Sequence, residues 1–147
     1  MMFILGYPPV KCVNEKSLDS LINELVQNDY YIYQLNGENI YDSKTFYNIC
    51  IDVLPTDPPL AKKDSPNFDA FSDSIRGGIS EQESDKVAVI WTKAQNIANN
   101  NLNDLFRIIQ IFYDISTSLN EDYFDITIDL LIFLVDNGQN FPVFDGE

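Results

Sequence analysis

The sequence predicts a single α/β domain in which a small three-stranded parallel sheet is packed by helices. Three short apolar runs, residues 30–35, 87–91 and 126–135, have the length and make-up of strands. Segments with apolar side chains at the helical spacing separate them, and strands separated by helices pair in parallel through right-handed crossovers. A chain of 147 residues that is 45% hydrophobic suits one domain, residues 1–147, with one core, and excludes a disordered chain.

Each element has its own local cause. Ser17 is placed to cap a first helix, whose apolar positions Leu18, Leu21, Ile22, Leu25 and Val26 follow the 3.6-residue period. Residues 30–35 form a strand with Tyr31, Tyr33 and Leu35 on one face and Ile32 on the other, and Asn36-Gly37-Glu38-Asn39 turns the chain out of it. A second helix over residues 43–54 buries Phe46, Ile49, Cys50 and Val53 and is stopped by Pro55. Residues 55–65 hold three prolines and no periodicity, the pattern of an exposed loop. Ser65-Pro66 supplies a hydroxyl cap and a first-turn proline for a short helix that turns Phe68, Phe71 and Ile75 inward and ends at Gly77-Gly78.

After a polar, acidic loop at residues 80–86, the strand at 87–91 is apolar at nearly every position, as expected of a strand covered on both faces. A long helix over residues 102–119 buries Leu105, Ile109, Phe112 and Ile115, and residues 126–135 make the last strand. The core spans about residues 18–135, with room for an extra edge strand at residues 2–5. The tail through Phe141 and Phe144 is expected to be ordered only in part.

Charge narrows the function. The chain carries 23 Asp+Glu against 9 Lys+Arg, a net of −14, so direct binding to nucleic acid or to an anionic membrane is not expected, whereas a cationic protein would be attracted. There is no histidine, which removes Ser-His-Asp and Cys-His machinery and an imidazole acid or base. No glycine-rich phosphate loop is present, and no pair of carboxylates is singled out for glycoside chemistry. The acidic stretch from Asn120 to Asp129 lacks the glycine and terminal glutamate of a calcium loop. No enzyme activity, cofactor or metal is expected. Cys12 and Cys50 fit no paired pattern and read as reduced thiols. With no basic leader before the apolar first residues, and an apolar run at 130–135 far below a membrane span, the protein is expected in the cytoplasm and monomeric when free.

Asp69 and Asp73 stand at i and i+4 of the helix after Ser65-Pro66, on one face and about 6 Å apart along its axis. By spacing alone this is an ordinary solvated face. The stretch Asn67-Phe68-Asp69-Ala70-Phe71-Ser72-Asp73 resembles the signature helix of the barstar family of ribonuclease inhibitors. Tyr33-Gln34-Leu35-Asn36-Gly37, the helix ending at Pro55, and Val87-Ala88-Val89-Ile90-Trp91 resemble that family's flanking elements in the same order. The resemblance spans roughly residues 18–135.

It implies a barstar-like fold and an intracellular immunity protein that occludes the cationic active site of a basic ribonuclease toxin. Asp69 and Asp73 would be the inhibitory carboxylates. Asn67, Phe68 and Ser72 would edge the contact, and Asp104 would add an acidic group from the long helix. The chain departs from the family where Lys62-Lys63-Asp64-Ser65-Pro66 replaces a Tyr-Tyr-Gly or Tyr-x-Gly segment, and where Ser72 replaces an aromatic. A second reading keeps the fold and changes the partner, to a non-nuclease protein or a toxin of other chemistry.

Overall fold

The computed structural model describes residues 9–121 and 127–137. The elements run β1 (Val10–Asn14), α1 (Leu18–Gln27), β2 (Tyr31–Asn36), α2 (Ser43–Val53), α3 (Phe68–Glu81), β3 (Lys86–Thr92), α4 (Gln95–Asn100), α5 (Leu102–Leu119) and β4 (Asp129–Asp136). The strands form one sheet, all parallel, in the order β1-β4-β3-β2. The sheet therefore has four strands among the described residues rather than the expected three. The added edge is β1, while the alternative at residues 2–5 lies outside the described residues, as do Ile126 and the tail with Phe141 and Phe144.

Topology explains where the helices go. The step from β1 to β2 crosses the whole sheet in one direction, and the steps from β2 to β3 to β4 return in the other. Right-handed crossovers in opposite directions place their helices on opposite faces. The buried side chains divide accordingly. Leu21 and Leu25 of α1 pack with Ala88, Ile90, Leu131 and Phe133 on one face. Val87, Val89, Trp91, Leu130, Ile132 and Leu134 point to the other, under α2, α3, α4 and α5. Alternate residues of β3 and β4 thus serve two cores, which is why both strands are apolar almost throughout. In register, Val10, Ile132, Val89 and Tyr33 form one row across all four strands.

Several local expectations change in detail. Ser17 makes no side-chain cap bond. A short 3-10 turn at Glu15–Ser17 leads into α1 instead, and Asn14 Oδ1 accepts its Lys16 N–H at 2.9 Å. The second helix is capped by Asp42 and Thr45 in a reciprocal box, with Thr45 N–H donating to Asp42 Oδ1 at 2.8 Å. Helix α2 buries Phe46, Tyr47 and Cys50, and α5 buries Ile108 more completely than Ile109. Cys12 and Cys50 are both free thiols. Burial pushes the Cys50 thiol well above its ordinary range, so it is no nucleophile at neutral pH.

The larger correction concerns the end of the helix after the loop at 55–65. Gly77-Gly78 does not end α3, which continues to Glu81. The glycines are there because the loop backbone lies against the helix. A Cβ on Gly78 would stand 2.2 Å from Pro55 O, and one on Gly77 would stand 2.3 Å from Asp57 O. The loop is fastened at further points. Asp57 N–H donates to Ser74 O at 2.9 Å, the Ser74 hydroxyl donates to Pro58 O, and the Tyr47 hydroxyl donates to Ala61 O at 2.9 Å. Residues 55–65 are thus the largely exposed loop expected, and it is also fastened as a strap over α2 and α3.

Replacing a mid-helix glycine by alanine ordinarily stabilises a helix by up to about 1 kcal/mol. Here Gly78→Ala is expected to destabilise by about 1–3 kcal/mol, since backbone and not a flexible side chain must move. Urea unfolding checks the sign, and a gain in stability would mean that the strap does not press on α3.

Candidate partner-binding site

Helix α3 begins at Phe68, and its cap is Asn67 rather than Ser65. Asn67 has extended backbone, and its Oδ1 accepts the N–H groups of Asp69 at 2.9 Å and Ala70 at 3.1 Å. Pro66 sits before the cap, not inside the first turn. Phe71, Ile75 and Ile79 face the core, and the Phe71 ring meets those of Phe46 at 5.7 Å and Tyr47 at 5.7 Å. With that face committed, Asp69 and Asp73 are left exposed on the outside and Ser72 half-buried beside them. Asp69 lies in the first turn, where the unpaired N–H groups of the helix favour an anion.

The six expected residues thus fall into two groups. Asn67, Asp69, Ser72 and Asp73 are brought together on the first two turns of α3, with side chains reaching solvent. Phe68 is 8% exposed, wedged against Tyr47 at 6.0 Å and Phe71 at 5.5 Å, and offers a partner little area. Asp104 is half-buried and already engaged. Its Oδ2 accepts the first N–H of α2, from Ser43, at 2.8 Å and the Asn101 side-chain amide at 3.0 Å. Its own N–H donates to Asn101 Oδ1 at 3.1 Å. Asp104 therefore ties the start of α5 to the start of α2.

Two cations on this surface were not anticipated. Arg76 forms an ion pair with Asp73 one turn along α3. Arg107 comes from α5 and places its guanidinium over the Phe68 ring, 4.9 Å from the centroid. The i,i+3 spacing of Asp73 and Arg76 is a signal in the sequence, whereas the Arg107 contact exists only once α5 packs on α3. The strap is also tied by charge: its Lys62 pairs with Asp52 and donates to Asn48 O at 2.9 Å, and its Asp64 pairs with Lys44 of α2 at 3.1 Å.

Among the described residues no group of three or more His, Cys, Asp or Glu side chains is placed to hold a metal ion, and no helix is long and apolar enough to cross a membrane. What the surface offers is a rigid, partly charged helix face suited to docking against another macromolecule. The family described as Barstar (barnase inhibitor) matches residues 30–131, from just before β2 into β4 and about two thirds of the chain. The match leaves out β1 and α1. No curated protein matches the sequence.

The structural and the free polar groups of this surface are separable by stability. Asn67→Ala is expected to cost about 1 kcal/mol through loss of the cap. Asp104→Ala is expected to cost about 1–3 kcal/mol, because the Ser43 N–H loses its acceptor. Asp69→Ala should stay within about 0.5 kcal/mol. Chemical denaturation of the three variants checks the order, and an Asp104→Ala variant as stable as wild type would contradict its bridging role.

Proposed function

The chain belongs to the barstar family, and from that premise we propose that it is an intracellular, cytoplasmic immunity protein that inhibits a ribonuclease toxin and catalyses nothing itself. The observation that carries the reading is the Asn67-capped helix, which buries Phe71 and Ile75 and turns Asp69 and Asp73 out to solvent in a chain of net −14. The mechanism is occlusion combined with electrostatic complementarity. A nuclease active site holds RNA phosphates with Arg and Lys. Carboxylates on a rigid helix enter that site as phosphate substitutes, and the bulk of the domain keeps RNA out.

Rigidity contributes as much as charge. The cap at Asn67, the aromatic contacts beneath and the strap behind Gly77-Gly78 hold the carboxylates in one arrangement, so little conformational freedom is lost on docking. At longer range, the net charge of −14 steers a basic partner into encounter. Asn67 and Ser72 flank the carboxylates and supply neutral hydrogen-bonding groups at the rim. Asp104 would meet the partner with a carboxylate that already accepts from Ser43 and Asn101. The alternative, an acidic module for a non-nuclease partner, draws its support from the ion pair that holds Asp73.

Inhibition of a basic ribonuclease, measured as loss of RNA cleavage, tests the proposal directly. Asp69→Ala and Asp73→Ala are each expected to weaken inhibition by about 2–5 kcal/mol, with folding stability nearly unchanged. That magnitude is known for desolvated charge pairs, those of the barnase–barstar complex among them, rather than yielded by this structure. A double variant that still inhibits at wild-type strength would move the site elsewhere. The association rate is also expected to fall as salt rises from low to physiological concentration, and a flat rate would remove steering from the mechanism.

A further inference from the structure

The chain contains two arginines: Arg76 belongs to α3, and Arg107 lies against it from α5. Arg107 covers Phe68, the residue before Asp69. Arg76 holds the Asp73 carboxylate, and it is the more covered member of that pair, 33% exposed against 71%. Asp69, by contrast, is in no ion pair among the described residues. The two carboxylates are therefore unequal: one is open, and the other is occupied by a cation of the same helix.

We infer that Arg76 is a specificity-determining residue of this surface, selecting against partners that present cations alone. The inference rests on the reading of α3 as the binding helix and deepens it. A carboxylate has about four acceptor positions, so a partner's guanidinium can join Arg76 on Asp73. Doing so brings two like charges to one anion, and their repulsion grows as the interface excludes water. A partner with an acidic side chain beside its cationic pocket avoids that conflict. Arg76 turns to the partner's carboxylate and leaves Asp73 to the partner's cation. Asp69 requires no such exchange and accepts a cation directly. The matching surface is thus a cationic site bordered by at least one carboxylate.

A tetra-arginine peptide, titrated while the backbone amides of residues 67–73 are followed by NMR, tests the effect of cations alone. Arg76→Gln is expected to tighten the peptide at these residues by about two- to fivefold, the scale of one exposed ion pair. Asp73→Asn added to Arg76→Gln should abolish the gain, because the gain runs through Asp73. Lys16→Gln makes the same change in net charge on a distant 3-10 turn and should leave the peptide's affinity unaltered. No gain in Arg76→Gln, a gain that survives Asp73→Asn, or an equal gain in Lys16→Gln would each overturn the inference. Inhibition of barnase, assayed in parallel, keeps the two claims apart. Barnase left uninhibited with the peptide gain present counts against the ribonuclease reading and for Arg76. Barnase inhibited with no peptide gain does the reverse.

Discussion

The ring of Phe46 is the contact on which the placement of the candidate site depends. Projecting from α2, it meets Phe71 of α3 at 5.7 Å, Trp91 of β3 at 5.4 Å and Phe112 of α5 at 5.5 Å. Two of these pairs are edge-to-face, the arrangement aromatic quadrupoles favour. One side chain thus joins three helices to a central strand. Parallel strands cannot be tied by short hairpins, so their helices must be fastened through the core, and here the fastening is aromatic. The orientation of α3 about its own axis, and with it the direction of Asp69 and Asp73, follows from where Phe71 meets Phe46.

Helix α3 divides its circumference among three tasks. Phe71, Ile75 and Ile79 form the core face. Ser74, Gly77 and Gly78 meet the strap, where two missing side chains let backbone approach backbone. Asp69, Ser72 and Asp73 take what remains. Such an arrangement leaves little freedom for the outer face to tilt, because tilting would break contacts on the other two. A helix pinned on two sides presents its third as a fixed template, and a fixed template loses little entropy when a partner docks.

What was legible in the sequence was whatever local pattern determines. The runs at Val87 to Trp91 and Leu130 to Val135 read as covered strands, and they are the two inner strands of the sheet. The periodicity of Leu105, Phe112 and Ile115 marked α5, and the family motif marked α3. Contacts across the chain were not legible. β1 is five residues with two partly exposed side chains after its first valine, and its partner β4 lies more than a hundred residues away. The Gly77-Gly78 pair reads locally as a helix end, yet the close approach of Pro55 and Asp57 makes it a helix interior. The same holds within the site. Asn67, Asp69 and Asp73 share a few residues of sequence and were found together. Asp104 reads from the family resemblance as a partner contact, and its bond to Ser43 spans 61 residues, which no local pattern announces.

Net charge and local charge act at different distances. A net of −14 is felt by a basic partner well before contact, within the limits that salt screening sets. It carries little information about which basic protein arrives, since any cationic surface responds to it. Discrimination has to come from groups that meet only at contact, where water is excluded and one misplaced charge is costly. In the proposed reading those groups are of both signs: an open carboxylate at Asp69, one paired with Arg76 at Asp73, and the guanidinium of Arg107 reaching over from α5. With both of its arginines at the candidate contact face, an acidic protein binding through α3 as proposed would attract broadly and fit narrowly.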